Sequence, residues 1–215
     1  MRVVILPGNG CTNVRQANWY GWLEQRFKTD AATRFSAENI ILRDMPDPHR
    51  ARRSKWLPFI RSEMLGCSKD DANDHGKGPE TIIVGHSSGA EAAMRLAETT
   101  HVAGLVLVAA CHTDLGEPNE TQSGWYPPGG GPWLWDNIRA NAGSGLGCDV
   151  GNIIMLHSLD DPFIPIVEPR HVAGCLGQGT ELREFENESH FFHPSEEIVK
   201  AVYDVADRAL SKDLN

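Results

Sequence analysis

The pattern Gly85-His86-Ser87-Ser88-Gly89 places a serine between two glycines at a sharp change in the chain. An apolar, β-branched run precedes the pattern, and a helical pattern follows it at once. A serine at such a strand-to-helix turn is held in a strained conformation with its hydroxyl exposed, and the small flanking glycines relieve crowding. The pattern therefore predicts that Ser87 is a nucleophile, in preference to a simple glycine turn.

A serine hydroxyl is a weak nucleophile near neutral pH, so it needs a base that is itself oriented by an acid. In this strand–turn–helix setting, the acid and then the histidine follow the serine along the chain. Two histidines, His190 and His193, come after the last predicted strand. We favour His190 as the base, because His193 adjoins Pro194 and is better explained as a helix-start residue.

The acid is expected in the sequence HSLDDPFIP, residues 157–165, which follows the fifth predicted strand. This segment contains Asp160 and Asp161, and aspartates before proline commonly form turns. We assign Asp161 as the acid and Asp160 as a turn residue. The reverse assignment is the alternative, and paired kinetic measurements distinguish the two.

Acyl transfer also requires two backbone N–H groups that bind the developing oxyanion. The candidates are the amide of Ser88, directly after the nucleophile, and the amide of Asn9 in the turn PGNG. A competing interpretation takes GNGCTN, residues 8–13, as a dinucleotide fingerprint, because Asp44 closes the second strand. Asn13 replaces the third glycine and the helix begins late, so the nucleotide-binding interpretation is the weaker one.

The elements that must position these residues alternate between short β-branched runs and helical patterns. This alternation predicts βαβ units and a parallel sheet of six strands in the order 2-1-3-4-5-6. Predicted strands cover residues 3–7, 39–43, 81–85, 104–109, 152–157 and 181–185, and predicted helices cover 18–28, 52–65, 90–99, 133–141, 167–175 and 195–210. Residues 67–80 and 142–151 are polar or glycine-rich and are expected to be surface insertions.

The composition limits the partners and the compartment. The 215 residues carry a net charge of −9, which makes a nucleic acid an unfavourable partner. No apolar stretch is long enough for a membrane span, and the first residues predict a strand rather than a signal peptide. Five widely spaced cysteines without a CxxC pair predict reduced thiols in a cytoplasmic protein. Neither a metal ion nor a cofactor is expected.

Aromatic residues in the loops after the strands are expected to line a substrate pocket. The predicted wall consists of Trp125, Tyr126, Trp133, Trp135, Phe163, Phe191 and Phe192. Such a surface favours a small hydrophobic or aromatic acyl group, supplied as an ester or an aminoacyl amide. The alternative is that many of these rings pin the loops to the body of the protein. Asp44 and Asp47 could hold a substrate amine, but their positions beside prolines favour turn formation.

Nine segments together resemble one known family. They read PGNG, NWYGWL, DMPDP, WLPF, IIVGHSSGAEAAMRLAET, LVLVAACHTDLG, PWLWDNI, HSLDDPFIP and SHFFH, and they extend over nearly the whole chain. The chain is similar to the retinoblastoma-binding serine hydrolases, which are small α/β-hydrolases. The resemblance implies one three-layer α/β-hydrolase domain over residues 1–215, with helices on both faces of the sheet and a minimal lid. It also implies a triad of Ser87, Asp161 and His190.

Two departures from the family pattern affect these expectations. Ser189 stands where the family usually has a glycine before its histidine, so the backbone of that loop is expected to differ. The family's retinoblastoma contact, L-x-C-x-E, would fall on residues 65–69, where Lys69 replaces the glutamate. This reversed charge predicts weak or absent binding to a retinoblastoma-type pocket. A catalytically idle interaction module and a nucleotide-binding domain are the alternatives to a hydrolase.

Overall fold

A parallel sheet of six strands forms the centre of the protein, as the alternating sequence pattern predicted. A computed structural model describes residues 1–30, 33–143 and 151–211. Its strands are β1 (Arg2–Leu6), β2 (Ile40–Leu42), β3 (Thr81–His86), β4 (Gly104–Val108), β5 (Ile153–Ser158) and β6 (Thr180–Phe185). They lie in the order β2-β1-β3-β4-β5-β6, and each neighbouring pair is parallel.

Helices cover both faces of this sheet. They are α1 (Tyr20–Thr29), α2 (Arg53–Phe59), α3 (Ser88–Ala97), α4 (Pro118–Ser123), α5 (Trp135–Asn141), α6 (Val167–Leu176) and α7 (Glu196–Ser211). Successive strand residues point to opposite faces. Val4 packs in a core cluster with residues of α2, α3, α5 and α6, whereas Val3 packs with residues of α1 and α7. No helix in the described part of the chain is both long and apolar enough to cross a membrane.

The central strands are buried along their whole length. Every residue of β1, β3, β4 and β5 is buried, and most of these residues are apolar. Parallel strands that are covered on both faces have this continuous apolar character, and removing their side chains from water is the main stabilising contribution. The edge strand β6 is partly exposed and carries charge, with Arg183 bonded to Glu181 and Asp204. Charged side chains on an edge strand oppose pairing with another chain.

Three segments differ from the sequence prediction. The helix expected over residues 52–65 consists of α2 followed by a π-helix at Ile60–Met64, which ends where the Leu65 amide bonds to the Ile60 carbonyl at 3.0 Å. Pro58 lies within α2, and its ring supplies no amide to the helix. The short helix α4 was not predicted, and α5 begins two residues later than expected. Of the predicted insertion at 142–151, residues 144–150 lie outside the described part.

The carboxyl ends of the strands bring the candidate site residues to one edge of the sheet. The loops after β1, β3, β5 and β6 contain Asn9, Ser87, Asp161 and His190, respectively. After β1 the chain adds β2 on one side of it, and β3 to β6 then follow in order on the other side. The winding therefore reverses between the neighbouring strands β1 and β3. Ligands of open α/β sheets bind in the crevice at this point.

Candidate active site

Ser87 occupies a strained turn between β3 and α3. Its backbone has φ 52° and ψ −126°, a conformation that residues with side chains rarely adopt. The Ser87 amide donates to the carbonyl of Val108 at 2.9 Å, and the Ser87 carbonyl accepts the amide of Ala90 at 2.6 Å. These bonds hold the turn between strand β4 and the first turn of α3, so the conformation is fixed by its surroundings.

The two glycines of the motif are required by the close approach of the backbone. A Cβ atom on Gly85 would lie 2.3 Å from the carbonyl oxygen of Gly89. A Cβ atom on Gly89 would lie 2.4 Å from the carbonyl oxygen of Leu6 in the neighbouring strand. Both separations are much shorter than a van der Waals contact, so any side chain at either position would displace the turn.

His190 and Asp161 form a hydrogen-bonded pair at the same edge of the sheet. His190 Nδ1 lies 2.8 Å from Asp161 Oδ2, and the Asp161 side chain is fully buried. The other oxygen, Oδ1, accepts the amides of Phe163 at 2.9 Å and Ile164 at 3.0 Å. Because the carboxylate accepts from Nδ1–H, the neutral imidazole presents Nε2 as its acceptor.

The environment of Asp161 favours its ionised form. Burial by itself raises the pKa of Asp161, but the hydrogen bond to His190, the charge of His190 and the two backbone amides outweigh burial. The pKa of Asp161 is therefore lowered from its usual value. An ionised carboxylate at this position stabilises an imidazolium and fixes the tautomer of the neutral ring.

The alternative residues have other contacts. Asp160 Oδ1 accepts the hydroxyl of Ser158 at 2.5 Å and the amide of Ser189 at 2.9 Å, and the Asp160 side chain is exposed. These bonds join the loop after β5 to the loop after β6, which is the turn-forming role expected for this residue. His193 is exposed just before α7 and does not line the cavity that contains Ser87.

The backbone amides of Asn9 and Ser88 are the candidates for binding an oxyanion. In the loop after β1, the amide of Gly8 donates to the Tyr20 hydroxyl at 2.9 Å and the amide of Gly10 to the Pro48 carbonyl at 2.8 Å. The Asn9 amide between them has no bonded partner among the described residues. The Ser88 amide opens α3, and amides of a first helical turn have no partner within the helix.

A cavity of about 550 Å³ opens beside Ser87 and His190. Its volume lies within the range of small-molecule sites. One wall is apolar and is formed by Leu115, Phe163 and Phe192. The lining also includes the acidic residues Glu91, Glu117 and Glu120.

The structure brings three of the seven predicted aromatic residues to this cavity and places the other four elsewhere. Tyr126, Phe163 and Phe192 line the cavity. Trp125 is fully buried and packs edge-on against Trp56, with the ring centroids 6.2 Å apart.

The remaining three rings pack against the protein itself. Trp133 lies under the guanidinium of Arg95 at 3.8 Å and stacks on Trp135. Phe191 is fully buried in the α1 and α7 side of the core, where it meets Phe185 edge-on. These four rings therefore fill the protein interior or pin loops, which was the alternative reading of the aromatic residues.

None of the three glutamates in the cavity lining was anticipated from the sequence, and two of them have buried carboxyl oxygens. Glu91 is 1% exposed, and its Oε1 accepts the amide of Cys111 at 2.9 Å. Burial raises the pKa of Glu91 well above its usual value. Glu120 accepts the side-chain amide of Asn9 at 2.6 Å, and its second oxygen is buried without a partner among the described residues. A signal for Glu91 was present, because a lone acidic residue in the apolar start of α3 is unusual.

The two aspartates considered for a substrate amine are bonded to other groups of the protein. Asp44 Oδ1 accepts the amide of Val14 at 2.7 Å, and Asp47 pairs with Arg52 at 2.5 Å. Neither residue lines the cavity. Asp44 Oδ1 is thus already bonded. In a dinucleotide-binding site this acidic residue would instead accept a hydrogen bond from the ribose.

Comparison with known proteins identifies the family of this chain. The family model described as "Serine hydrolase" matches residues 3–196. The rat (Rattus norvegicus) protein "Serine hydrolase RBBP9" is 40% identical over 205 residues, which cover 94% of this chain and 95% of that protein.

Solved structures share the fold at low sequence identity. The ydeN gene product from B. subtilis has a TM-score of 0.71 at 20% identity, with 98% of each chain covered. Est1E from Butyrivibrio proteoclasticus has a TM-score of 0.62 at 13% identity, with 99% of this chain and 88% of that chain covered. The fold is thus that of the α/β-hydrolases. Together with the family match and the 40% identity, it shows that the chain belongs to the serine hydrolase family.

Proposed function

We propose that this serine hydrolase acts through a triad of Ser87, His190 and Asp161 and forms an acyl-enzyme on Ser87. The observation that supports the proposal most strongly is the position of the buried His190–Asp161 pair. His190 of this pair lines the same cavity as Ser87, which lies in a strained turn, and Asp161 is buried behind His190. Ser87, Asp161 and His190 follow three different strands, so a purely local structural role does not explain why they lie at the same edge of the sheet.

In the proposed mechanism, each of these groups performs one step. Nε2 of His190 removes the proton of the Ser87 hydroxyl as the oxygen attacks the substrate carbonyl, and Asp161 stabilises the resulting imidazolium through Nδ1. The amides of Asn9 and Ser88 donate to the oxyanion of the tetrahedral intermediate. His190 then gives its proton to the leaving alcohol or amine. A water molecule, activated by the same imidazole, attacks the acyl-enzyme and releases the acid.

The cavity favours a small hydrophobic or aromatic acyl group. Tyr126, Phe163 and Phe192 supply apolar surface, and a volume of about 550 Å³ limits the length of the acyl chain. An aminoacyl amide or ester would also bring an ammonium group, for which Glu120, in the cavity lining, is a candidate acceptor. We therefore propose both simple esters and aminoacyl amides as substrates.

A reporter panel tests the substrate class. Phenylalanyl, alanyl, lysyl and long-chain acyl reporters should be compared by kcat/KM, with each substrate in both ester and amide form. We expect the phenylalanyl reporters to be cleaved fastest. Preference for long lipid chains or for the lysyl side chain would overturn the small aromatic pocket.

Covalent labelling tests the chemistry separately. A fluorophosphonate should label the protein once, and peptide mapping should place the adduct on Ser87. Ser54→Ala, at an exposed position on α2, is a matched serine control that should label normally. A folded wild-type protein that resists labelling would favour the catalytically idle interaction module.

A further inference from the structure

A buried series of hydrogen bonds runs behind Ser87, from the loop after β1 to the loop after β6. The Tyr20 hydroxyl accepts the amide of Gly8 at 2.9 Å and the side-chain amide of Asn18 at 3.1 Å. With these donors on its oxygen, the hydroxyl directs its own proton to Nδ1 of His86, 2.6 Å away. The more distant thiol of Cys11, at 4.0 Å, adds only a weak contact.

The tautomer of His86 follows from this contact. Because Nδ1 accepts from Tyr20, the proton of the neutral ring resides on Nε2. Nε2 then donates to the backbone carbonyl of His190 at 2.9 Å. The direction of each bond is therefore fixed from Tyr20 through His86 to the backbone of His190.

His86 is suited to a site in which positive charge develops nearby. It is 1% exposed, and burial lowers the pKa of His86 to about 3, so its ring is neutral at physiological pH. The rings of His86 and His190 have centroids 4.9 Å apart. A neutral ring at this distance does not oppose an imidazolium on His190, whereas a charged one would.

Each end of the series adjoins a group of the proposed mechanism. Gly8 precedes Asn9, His86 precedes Ser87, and the accepting carbonyl belongs to His190. The loop that carries His190 also needs restraint, since Ser189 and Phe191 on either side of it have φ values of 50° and 52°. Residues held in this region persist only when their surroundings fix them.

We infer that Tyr20 and His86 are positioning residues, which hold the oxyanion loop, Ser87 and His190 in one fixed arrangement for hydrolysis. The inference rests on the proposed function. It assigns to the histidine of the motif a role in alignment, and it requires no contact between His86 and the substrate.

Three substitutions interrupt the series at different points. Tyr20→Phe removes the hydroxyl. His86→Gln retains a donor near the position of Nε2 but loses the acceptor for Tyr20, and His86→Asn retains the acceptor but loses the donor. A small displacement of reacting groups can cost about a hundredfold in rate. We expect each variant to lower kcat by about ten- to a hundredfold, with KM changed by less than about threefold.

Labelling rates and a double variant separate alignment from simple destabilisation. The rate constant for inactivation by a fluorophosphonate should fall in parallel with kcat. In Tyr20→Phe/His86→Gln, the loss should be no greater than in the slower single variant, because both changes remove the same bond. Tyr203→Phe is the matched control: it removes a hydroxyl bonded to Asp30, and it should leave kcat unchanged even if Tm falls.

Contradictory results are distinguishable from failure of the proposed function. If the variants lose Tm but keep wild-type kcat and inactivation rates, Tyr20 and His86 are merely structural and the inference is overturned. Losses that multiply in the double variant would also overturn it. If instead the wild-type protein is not labelled at Ser87, the proposed function itself fails.

Discussion

Ser87 has a side chain but occupies a backbone conformation that favours glycine. Its side chain is a common polar group, but its backbone has a positive φ that costs about 1–3 kcal/mol for a residue with a Cβ atom. The surrounding hydrogen bonds and the flanking glycines maintain this conformation. Stability and function should therefore respond to substitutions at this residue in opposite directions.

We predict that Ser87→Ala abolishes hydrolysis and fluorophosphonate labelling while the fold is retained. Ser87→Gly should also be inactive. Its free energy of unfolding should exceed that of Ser87→Ala by about 1 kcal/mol, because glycine tolerates positive φ. Urea unfolding and labelling of the two variants side by side measure both effects. Normal labelling of Ser87→Ala would show that the nucleophile has been misassigned.

The choice between adjacent candidates for base and acid is a second prediction at this scale. His190→Ala and Asp161→Asn should each reduce kcat by three or more orders of magnitude, because they remove the proton acceptor and its orienting carboxylate. His193→Ala and Asp160→Asn should have much smaller effects, within about tenfold for the loop-forming aspartate. Steady-state kinetics on the four variants decides the matter; a larger loss at His193 or Asp160 would reverse the assignment.

At the scale of loops and helices, the segment around His190 shows how a family departure is accommodated. Ser189 stands where the family resemblance implies a glycine, and it has φ 50°, the left-handed conformation that favours glycine, so the change of backbone expected at this position is not seen. Its amide is bonded to Asp160 at 2.9 Å. The loop thus keeps a glycine-like backbone with a serine in it, at some cost in stability.

Substitutions at Ser189 should reveal this cost. We predict that Ser189→Gly raises the free energy of unfolding by up to about 1 kcal/mol and leaves kcat within a few-fold of wild type. Ser189→Val should destabilise the protein, because β-branched residues are poorly accommodated at positive φ. Thermal unfolding monitored by circular dichroism supplies the comparison. A less stable glycine variant would mean that the serine side chain contributes more than its backbone strain costs.

The segment at residues 65–69 gives a prediction about partners. Leu65 and Cys67 are buried, and the backbone between them is bonded within the protein, with the Leu65 carbonyl accepting the amide of Lys77 at 2.9 Å. A retinoblastoma-type pocket would have to extract both side chains from the core. We predict no tight binding by calorimetry, and none after Lys69→Glu restores the acidic residue. Tight binding that is lost on Cys67→Ala would contradict this.

The sheet could be predicted from the sequence because its determinants are local. Short β-branched runs alternate with helical patterns, and βαβ connections restrict the possible orders. The helix α4 escaped prediction because its sequence PNETQS has no apolar face. The break after α2 escaped because a hydrophobic pattern at helical spacing does not distinguish an α-helix from a π-helix.

The pocket was harder to predict than the candidate triad. Glycine spacing points to Ser87, and chain order leaves Asp160 or Asp161 as the acid and His190 or His193 as the base. By contrast, Trp125 and Phe163 are equally apolar, although the first is fully buried and the second is 59% exposed beside the cavity. Which face an aromatic ring presents depends on the packing of distant segments, and local sequence carries little information about it.

At the scale of the whole molecule, Glu91 should influence the pH dependence of unfolding. Burial raises its pKa in the folded protein above the unfolded value of about 4.3. Below that pH both states hold the proton, so the full stabilisation is present. As the pH rises, the unfolded state ionises first, and the free energy of unfolding falls by up to about 1.4 kcal/mol per pH unit until the folded pKa is passed.

We therefore predict that Glu91→Gln is more stable than wild type by an amount that grows with pH. Glutamine cannot ionise, and its side-chain oxygen can still accept the amide of Cys111. Urea unfolding at intervals from pH 4.5 to pH 8 measures the difference, with Glu186→Gln as a control at an exposed position. Parallel stability curves for wild type and Glu91→Gln would contradict the raised pKa.

Because the proposed site is built from four strand-end loops, it forms late during translation. The proposed oxyanion loop lies near residue 9, whereas His190 follows β6, so the proposed site is complete only after residue 190 has been synthesised. If Ser87 and His190 have the proposed roles, a nascent chain on the ribosome carries its nucleophile long before its base. We therefore expect a fluorophosphonate to label stalled chains only when they are long enough to include His190 and fold.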